Sequence, residues 1–207
     1  MPMKVRHPIA DKIIKKMRAR RGEAVSSRDF LDLGGAPAVR QSLSRLARQG
    51  KIRRVRRGLY ELPRAGKLSG QPVPLSPDAL VRAWARENGL RVVPSGTSAA
   101  NLLGLTTQVP ARIVYYTNGR TRTVKLGPYT VRFLNRGPRT MDVPGRWAPL
   151  VLQALRHLGP DSVNDAIIRR LRSILPRSAR LELRNSLRYA SAWQKPVLEA
   201  IANGKEF

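Results

Sequence analysis

Glycine punctuation constrains the first fifty residues more tightly than any other feature of the chain. Gly22, the pair Gly34-Gly35 and Gly50 cut this stretch into three short segments, each with apolar residues at helical spacing. Ile9, Ile13, Ile14 and Met17 form the stripe of a first helix, with Lys12, Lys15, Lys16 and Arg18 on its other faces. Ser26 followed by Asp29 has the form of a capping box and predicts a second helix over Ser27–Leu33 that presents Phe30 and Leu33. Gly34-Gly35 then permits a tight turn at little steric cost. Pro37 suits the first turn of a third helix, whose buried face is Val39, Leu43, Leu46 and Ala47. Gln41, Ser44, Arg45 and Arg48 point the opposite way, with Arg40 on the flank.

The segment KIRRVRRGLYELP follows directly. Ile52–Val55 reads as a strand, Arg56-Arg57-Gly58 as a turn and Leu59–Leu62 as a second strand. Ile52 and Val55 have opposite parity, so both can face a core only if the hairpin carries a bulge. Three helices followed by a basic hairpin predict a winged helix-turn-helix. A helix of this kind fits the DNA major groove and reads base edges. Lys51, Arg53, Arg54, Arg56 and Arg57 of the wing can flank phosphates or enter a minor groove. The expected DNA-binding residues are therefore Arg40, Gln41, Ser44, Arg45, Arg48, Arg53, Arg54, Arg56 and Arg57.

Charge supports this partner. The chain carries 40 Lys+Arg against 13 Asp+Glu, a net charge of +27, and such a field attracts polyanions. A GC-rich genome can inflate arginine, which outnumbers lysine 31 to 9, but it does not explain the scarcity of acids. Residues 1–66 hold +13 of the total, residues 67–140 hold +9 and residues 141–207 hold +5, so the N-terminal third is the first candidate for phosphate contact. Hydrophobic residues make up 42% of the chain, enough for a packed core. Cysteine is absent, which excludes disulfides and thiolate zinc sites. No apolar run approaches the roughly 18 residues of a membrane span, and the N-terminus lacks the apolar stretch of a signal peptide. The expectation is a cytoplasmic protein with no membrane partner.

Residues 64–76 are rich in Gly, Pro and Ser and read as a linker. Beyond it a helix over Pro77–Asn88 ends at Gly89. A short apolar extended segment covers Leu90–Val93, and a short helix covers Ala99–Leu103. Three strands follow at Ile113–Tyr116, Arg120–Lys125 and Tyr129–Leu134. Asn118-Gly119 reads as a hairpin turn between the first two, and Gly127-Pro128 as the second turn. The rest is helical. Trp147–Leu158 is amphipathic, Asp161 is placed to cap the next helix, to about Ser173, Pro176 sets off a third with Arg177, Arg180, Arg184 and Arg188 along one flank, and a last helix covers Trp193–Ala202. The expected fold class is α+β: a winged helix-turn-helix domain over 1–66, then a domain over 76–207 with a small α/β unit and C-terminal helices.

Catalytic and metal signatures are weak. His7 and His157 lie far apart, and no Walker-type loop or G-x-S-x-G elbow occurs. Asp29 with Asp32, and Asp161 with Asp165, have spacings that share a helix face, but capping explains them better. Ser95, Gly96, Thr97 and Ser98 precede a helix and have the composition of an anion site. Close packing of small residues is the simpler reading. The expectation is no catalytic residue, no cofactor and no metal.

Two stretches carry a family resemblance: DFLDLGGAPAVRQSLSRLARQGKIRRVRRGLYELP, and SGTSAANLLGLTTQVPARIVYYTNGR within Pro94–Arg136. Together they resemble the AbiEi-type antitoxins of bacterial toxin–antitoxin systems. The resemblance implies a transcriptional autoregulator that binds inverted repeats in its own promoter and counteracts a nucleotidyltransferase-like toxin. Proteins of winged-helix shape commonly dimerise to read two half-sites, so a homodimer on double-stranded DNA is expected. It also implies that the third helix and the wing contact the operator. Two other classes compete: a general RNA- or ribosome-associated basic protein, and an enzyme that modifies the toxin.

Overall fold

A computed structural model describes residues 8–20, 22–64, 73, 75–108 and 111–203. His7, most of the expected linker and Val109-Pro110 lie outside the described residues. The fold is mixed α+β, with helices around two small sheets. The chain divides into two units: Met1–Leu90 with Lys125–Tyr129, and Arg91–Val124 with Thr130–Phe207.

In the first unit, helix α1 spans Pro8–Ala19 and strand β1 spans Val25–Ser26. Ser27–Leu33 is a 3-10 helix, whose start is fixed by Ser26 N donating to Asp29 Oδ2 at 2.9 Å. Helix α2, Ala36–Arg48, is the third helix of the sequence reading. Strands β2, Arg53–Arg56, and β3, Leu59–Glu61, complete a three-stranded sheet in the order β1-β3-β2. Ile13 and Met17 of α1, Phe30, and Val39, Leu43 and Leu46 of α2 meet Ile52 and Tyr60 in one core. The expected bulge is present. Arg54 pairs with Tyr60 and Arg56 with Leu59, so the register shifts between Arg54 and Arg56, leaving Ile52 buried and Val55 half-buried.

Helix α3, Pro77–Asn88, has the bounds its sequence implies, with Ser76 Oγ accepting from Ala79 N at 3.3 Å and Gly89 left-handed at its end. The sequence reading places this helix at the start of the second domain. It packs instead with β1, β3 and the 3-10 helix of the first unit. Two consecutive side chains tie it there. Arg86 Nε donates to Asp29 Oδ1 at 3.0 Å, and both Glu87 carboxylate oxygens accept from Ser27 Oγ at 2.9 Å.

In the second unit, β4 (Val92–Pro94), β5 (Ile113–Thr117), β6 (Arg122–Leu126) and β7 (Tyr129–Asn135) form a sheet in the order β4-β5-β7-β6. Lys125–Tyr129, at the β6–β7 turn, belongs to the first unit. β5 pairs antiparallel with β4 and parallel with β7, so Tyr115 lies opposite Phe133. This corrects the expected Asn118-Gly119 hairpin, because β5 and β6 are not neighbours. A type I′ turn needs positive φ at both central residues, and neither Asn118 nor Gly119 has it. Asn118 Oδ1 instead accepts from Arg91 N at 2.9 Å, and Gly119 O accepts from Asn135 Nδ2 at 2.8 Å.

Helix α4, Gly96–Leu102, lies against helix α6, Trp147–Leu158, with the single turn α5, Pro138–Met141, between them in sequence. Helices α7 (Asp165–Ile174), α8 (Arg177–Asn185) and α9 (Gln194–Asn203) complete the unit. The sequence reads α6 as amphipathic, yet every residue from Ala148 to Leu155 is buried, Leu152 and Gln153 included. Its leading amides are held by Glu182 of α8, whose Oε2 accepts from Trp147 N at 2.6 Å and Ala148 N at 3.3 Å. The cap of α7 is Asn164 rather than the expected Asp161: Asn164 Oδ1 accepts from Ile167 N at 3.2 Å, while Asp161 sits in a 3-10 turn.

Candidate nucleic-acid interface

The surface singled out by sequence rests on how α2 ends. Lys51 N donates to Leu46 O and Gly50 N to Ala47 O, both at 3.1 Å, with Gly50 left-handed at φ 69°. This is a Schellman closure, and it turns the chain into β2 within a few residues of the last helical turn. The helix and the hairpin are thus neighbours by local geometry alone.

Arg40, Gln41 and Arg48 are exposed on α2, and Ser44 and Arg45 are half-buried. Arg45 is engaged within the protein and is not a free cation. Arg45 and Arg48 occupy the last turn, where the helix dipole favours positive charge. In the hairpin, Arg54, Arg56 and Arg57 are exposed. Arg57 and Gly58 form the turn, and Gly58 O accepts from Ser27 N at 3.0 Å. A Cβ at Gly58 would meet Glu87 Oε1 at 2.5 Å, so only glycine lets the turn approach α3 this closely. Arg56 Nη1 donates to Lys125 O at 3.0 Å, which fixes its guanidinium while leaving other donors outward.

Arg53 differs from its neighbours. It faces Glu61 across the ladder, and its Nε and Nη2 both bond Glu61 Oε1. Glu61 is only 3% exposed, so Arg53 is committed to neutralising a buried carboxylate. Sequence reasoning missed this role, because Glu61 is the one acid in an otherwise basic hairpin and all three residues of β3 are buried.

Asp29 and Asp32 of this unit are also matched to cations. Asp29 lies 3.0 Å from Arg86 and 3.7 Å from Arg20, and Asp32 lies 2.6 Å from Lys16. Hydrogen bonding to Lys16 holds the Asp32 carboxyl below its ordinary value. Neither α2 nor β2 contains an acid. Both elements therefore carry arginine without acids of their own, a composition suited to phosphate contact.

The other sequence candidates are used internally. Ser98 Oγ donates to Val114 O at 3.3 Å and Ser95 Oγ donates to Ser98 Oγ at 3.3 Å. A Cβ at Gly96 would sit 2.7 Å from His157 Cβ, so the small residues serve the close approach of α4 to α6. Asp29 and Asp32 each hold a separate cation rather than converging. Among the described residues, no three of His, Asp and Glu cluster as metal ligands, and no helix is long and apolar enough to cross a membrane.

The model of a family of unknown function, DUF6088, matches residues 9–183. The chain belongs to this family. No curated protein matches it. The DUF6088 match begins in α1 and ends in α8, so it takes in α2, the hairpin and both sheets.

Proposed function

We propose that this DUF6088 member is a non-catalytic transcriptional autoregulator that binds promoter DNA through a winged helix-turn-helix. In this reading α2 is the recognition helix and the β2–β3 hairpin is the wing. The observation that carries it is the set of exposed arginines, Arg40 and Arg48 on α2 and Arg54, Arg56 and Arg57 on the hairpin, with no acid in α2 or β2. Gln41, Ser44 and Arg45 read base edges, and the hairpin arginines hold phosphates. Arg53 supports the wing from beneath through Glu61. The resemblance of the DFLDL…YELP and SGTSAAN…TNGR stretches to AbiEi-type antitoxins extends the reading. The second unit then counteracts a nucleotidyltransferase-like toxin, and the chain acts as a homodimer on paired half-sites.

The test is binding to the DNA upstream of its own reading frame against a scrambled duplex. Preference for the upstream DNA supports the proposal, and equal affinity overturns sequence-specific control. Gln41→Ala is expected to relax that preference by about 1–3 kcal/mol. Arg56→Ala is expected to weaken all duplexes alike and reduce the salt slope by about one unit. Co-expression with a toxin encoded beside it tests the antitoxin role, which fails if growth is not restored.

A further inference from the structure

The second unit holds an arginine–tyrosine cluster that the reading above does not use. Arg136 stacks on the half-buried Tyr116 ring of β5, its guanidinium carbon 4.8 Å from the centroid. Arg188 stacks on Tyr189 at 4.9 Å, and its Nη2 donates to the Tyr189 hydroxyl at 3.0 Å. Arg156 of α6 links the two stacks. Its Nη2 donates to Tyr189 O at 3.1 Å, and its electrostatic neighbours include Arg139 and Tyr116. Among the described residues, none of Arg136, Arg139, Arg156 and Arg188 makes an ion pair. The nearby acid Asp142 is 3.4 Å from Arg91 instead.

A stacked guanidinium uses its flat face on the ring and leaves its in-plane N–H donors for other partners. Arg136 spends Nη1 on Asn135 O at 3.0 Å and Arg188 spends Nη2 on the Tyr189 hydroxyl, and each keeps further donors at its edge. That edge matches the oxygens of a phosphate, which accept paired N–H bonds. Burial, reinforced by the like charge of Arg139, pushes the Arg156 guanidinium below its ordinary value, so positive charge here is uncompensated. The geometry points to Tyr116, Arg136, Arg156, Arg188 and Tyr189 as a second phosphate-binding surface, on the second unit, that holds the sugar-phosphate backbone of a DNA duplex. Arg139 adds charge to it.

The experiment uses the full chain and a random-sequence DNA duplex, with affinity followed by fluorescence anisotropy over a range of salt. A background variant, Arg48→Ala with Arg54→Ala and Arg57→Ala, weakens the first surface. It is expected to retain duplex binding. Adding Arg136→Ala and Arg188→Ala, both exposed residues, is expected to weaken that remainder about tenfold. The same pair should lower the salt slope by about two units. Unchanged affinity and slope at this step overturn the second surface. Loss of all binding in the background variant alone also overturns it, and leaves the α2–hairpin reading standing. If the background variant loses nothing and the added pair loses everything, the α2–hairpin reading falls and the second surface stands. Arg136→Lys with Arg188→Lys keeps the charge and loses the fork, so it should recover little of the lost affinity. Full recovery would reduce the surface to net charge and overturn the claim of phosphate geometry.

Discussion

Arg53 and Glu61 lie opposite one another across the β2–β3 ladder, with two guanidinium nitrogens of Arg53 on one carboxylate oxygen. Glu61 is 3% exposed and Arg53 50% exposed, so the pair is half interior and half surface. The two partners are therefore not equivalent. Removing the cation orphans a buried charge, whereas removing a neighbouring arginine orphans nothing. Arg53→Ala is expected to destabilise the chain by about 2–3 kcal/mol in urea unfolding. Arg54→Ala should leave stability within about 0.5 kcal/mol of wild type, because it changes only the surface. Duplex affinity should fall in Arg54→Ala measured where both variants are folded. Equal stability of the two variants would mean that Glu61 does not depend on Arg53.

Gly50 and Gly58 are both left-handed, at φ 69° and 79°, but they differ in surroundings. Nothing lies within 4 Å of a Cβ at Gly50, while a Cβ at Gly58 runs into Glu87. Gly50→Ala should therefore cost about 1 kcal/mol from backbone strain alone. Gly58→Ala should cost more, because Glu87 must give up its place beside Ser27 as well. Thermal unfolding of the two variants checks the order, and a larger loss at Gly50 would contradict it.

Elements whose signals are local were legible in the sequence. α3 and α6 have the bounds their caps and periodicity imply, and the parity of Ile52 and Val55 is resolved by a bulge between Arg54 and Arg56. What escaped depends on partners distant in sequence. Asn118-Gly119 has the composition of a hairpin turn, but β7 takes the place beside β5, and the turn residues are spent on Arg91 and Asn135. Arg86 and Glu87 look like ordinary solvated charges of a helix end until Asp29 and Ser27 are brought against them. The candidate interface divides in the same way. Its helix face and hairpin follow from spacing, whereas the separate duty of Arg53 follows only from the buried side of the sheet.

The Lys16–Asp32 pair predicts a pH effect of defined sign. Hydrogen bonding to Lys16 depresses the Asp32 carboxyl below its ordinary 3.8. A carboxyl with a folded value below its unfolded one stabilises the fold above the unfolded value. That contribution is lost as pH falls from about 3.8 through the depressed folded value. The carboxyl is at the surface, so the effect is small and salt-sensitive. Lys16→Ala should raise the Asp32 titration midpoint in a carboxyl-detected NMR titration toward 3.8. An unmoved midpoint would show that the pair does not persist in solution.

Glu182 of α8 is expected to act as the N-terminal cap of α6. Its Oε2 takes the leading amides of Trp147 and Ala148, so a helix buried from Ala148 to Leu155 starts on a carboxylate supplied from elsewhere in the chain. Negative charge at that end also complements the helix dipole. Glu182→Ala removes the acceptor of both bonds and should cost about 1–2 kcal/mol, the range of a lost N-cap. Glu182→Gln keeps a carbonyl acceptor but loses the charge, and should cost less than half of that. Hydrogen exchange at Trp147 and Ala148 separates capping from packing. Both amides should exchange faster in Glu182→Ala while those near Leu155 keep their protection. If all of α6 exchanges faster in concert, Glu182 holds α8 and α6 together as one packing unit rather than acting as a cap.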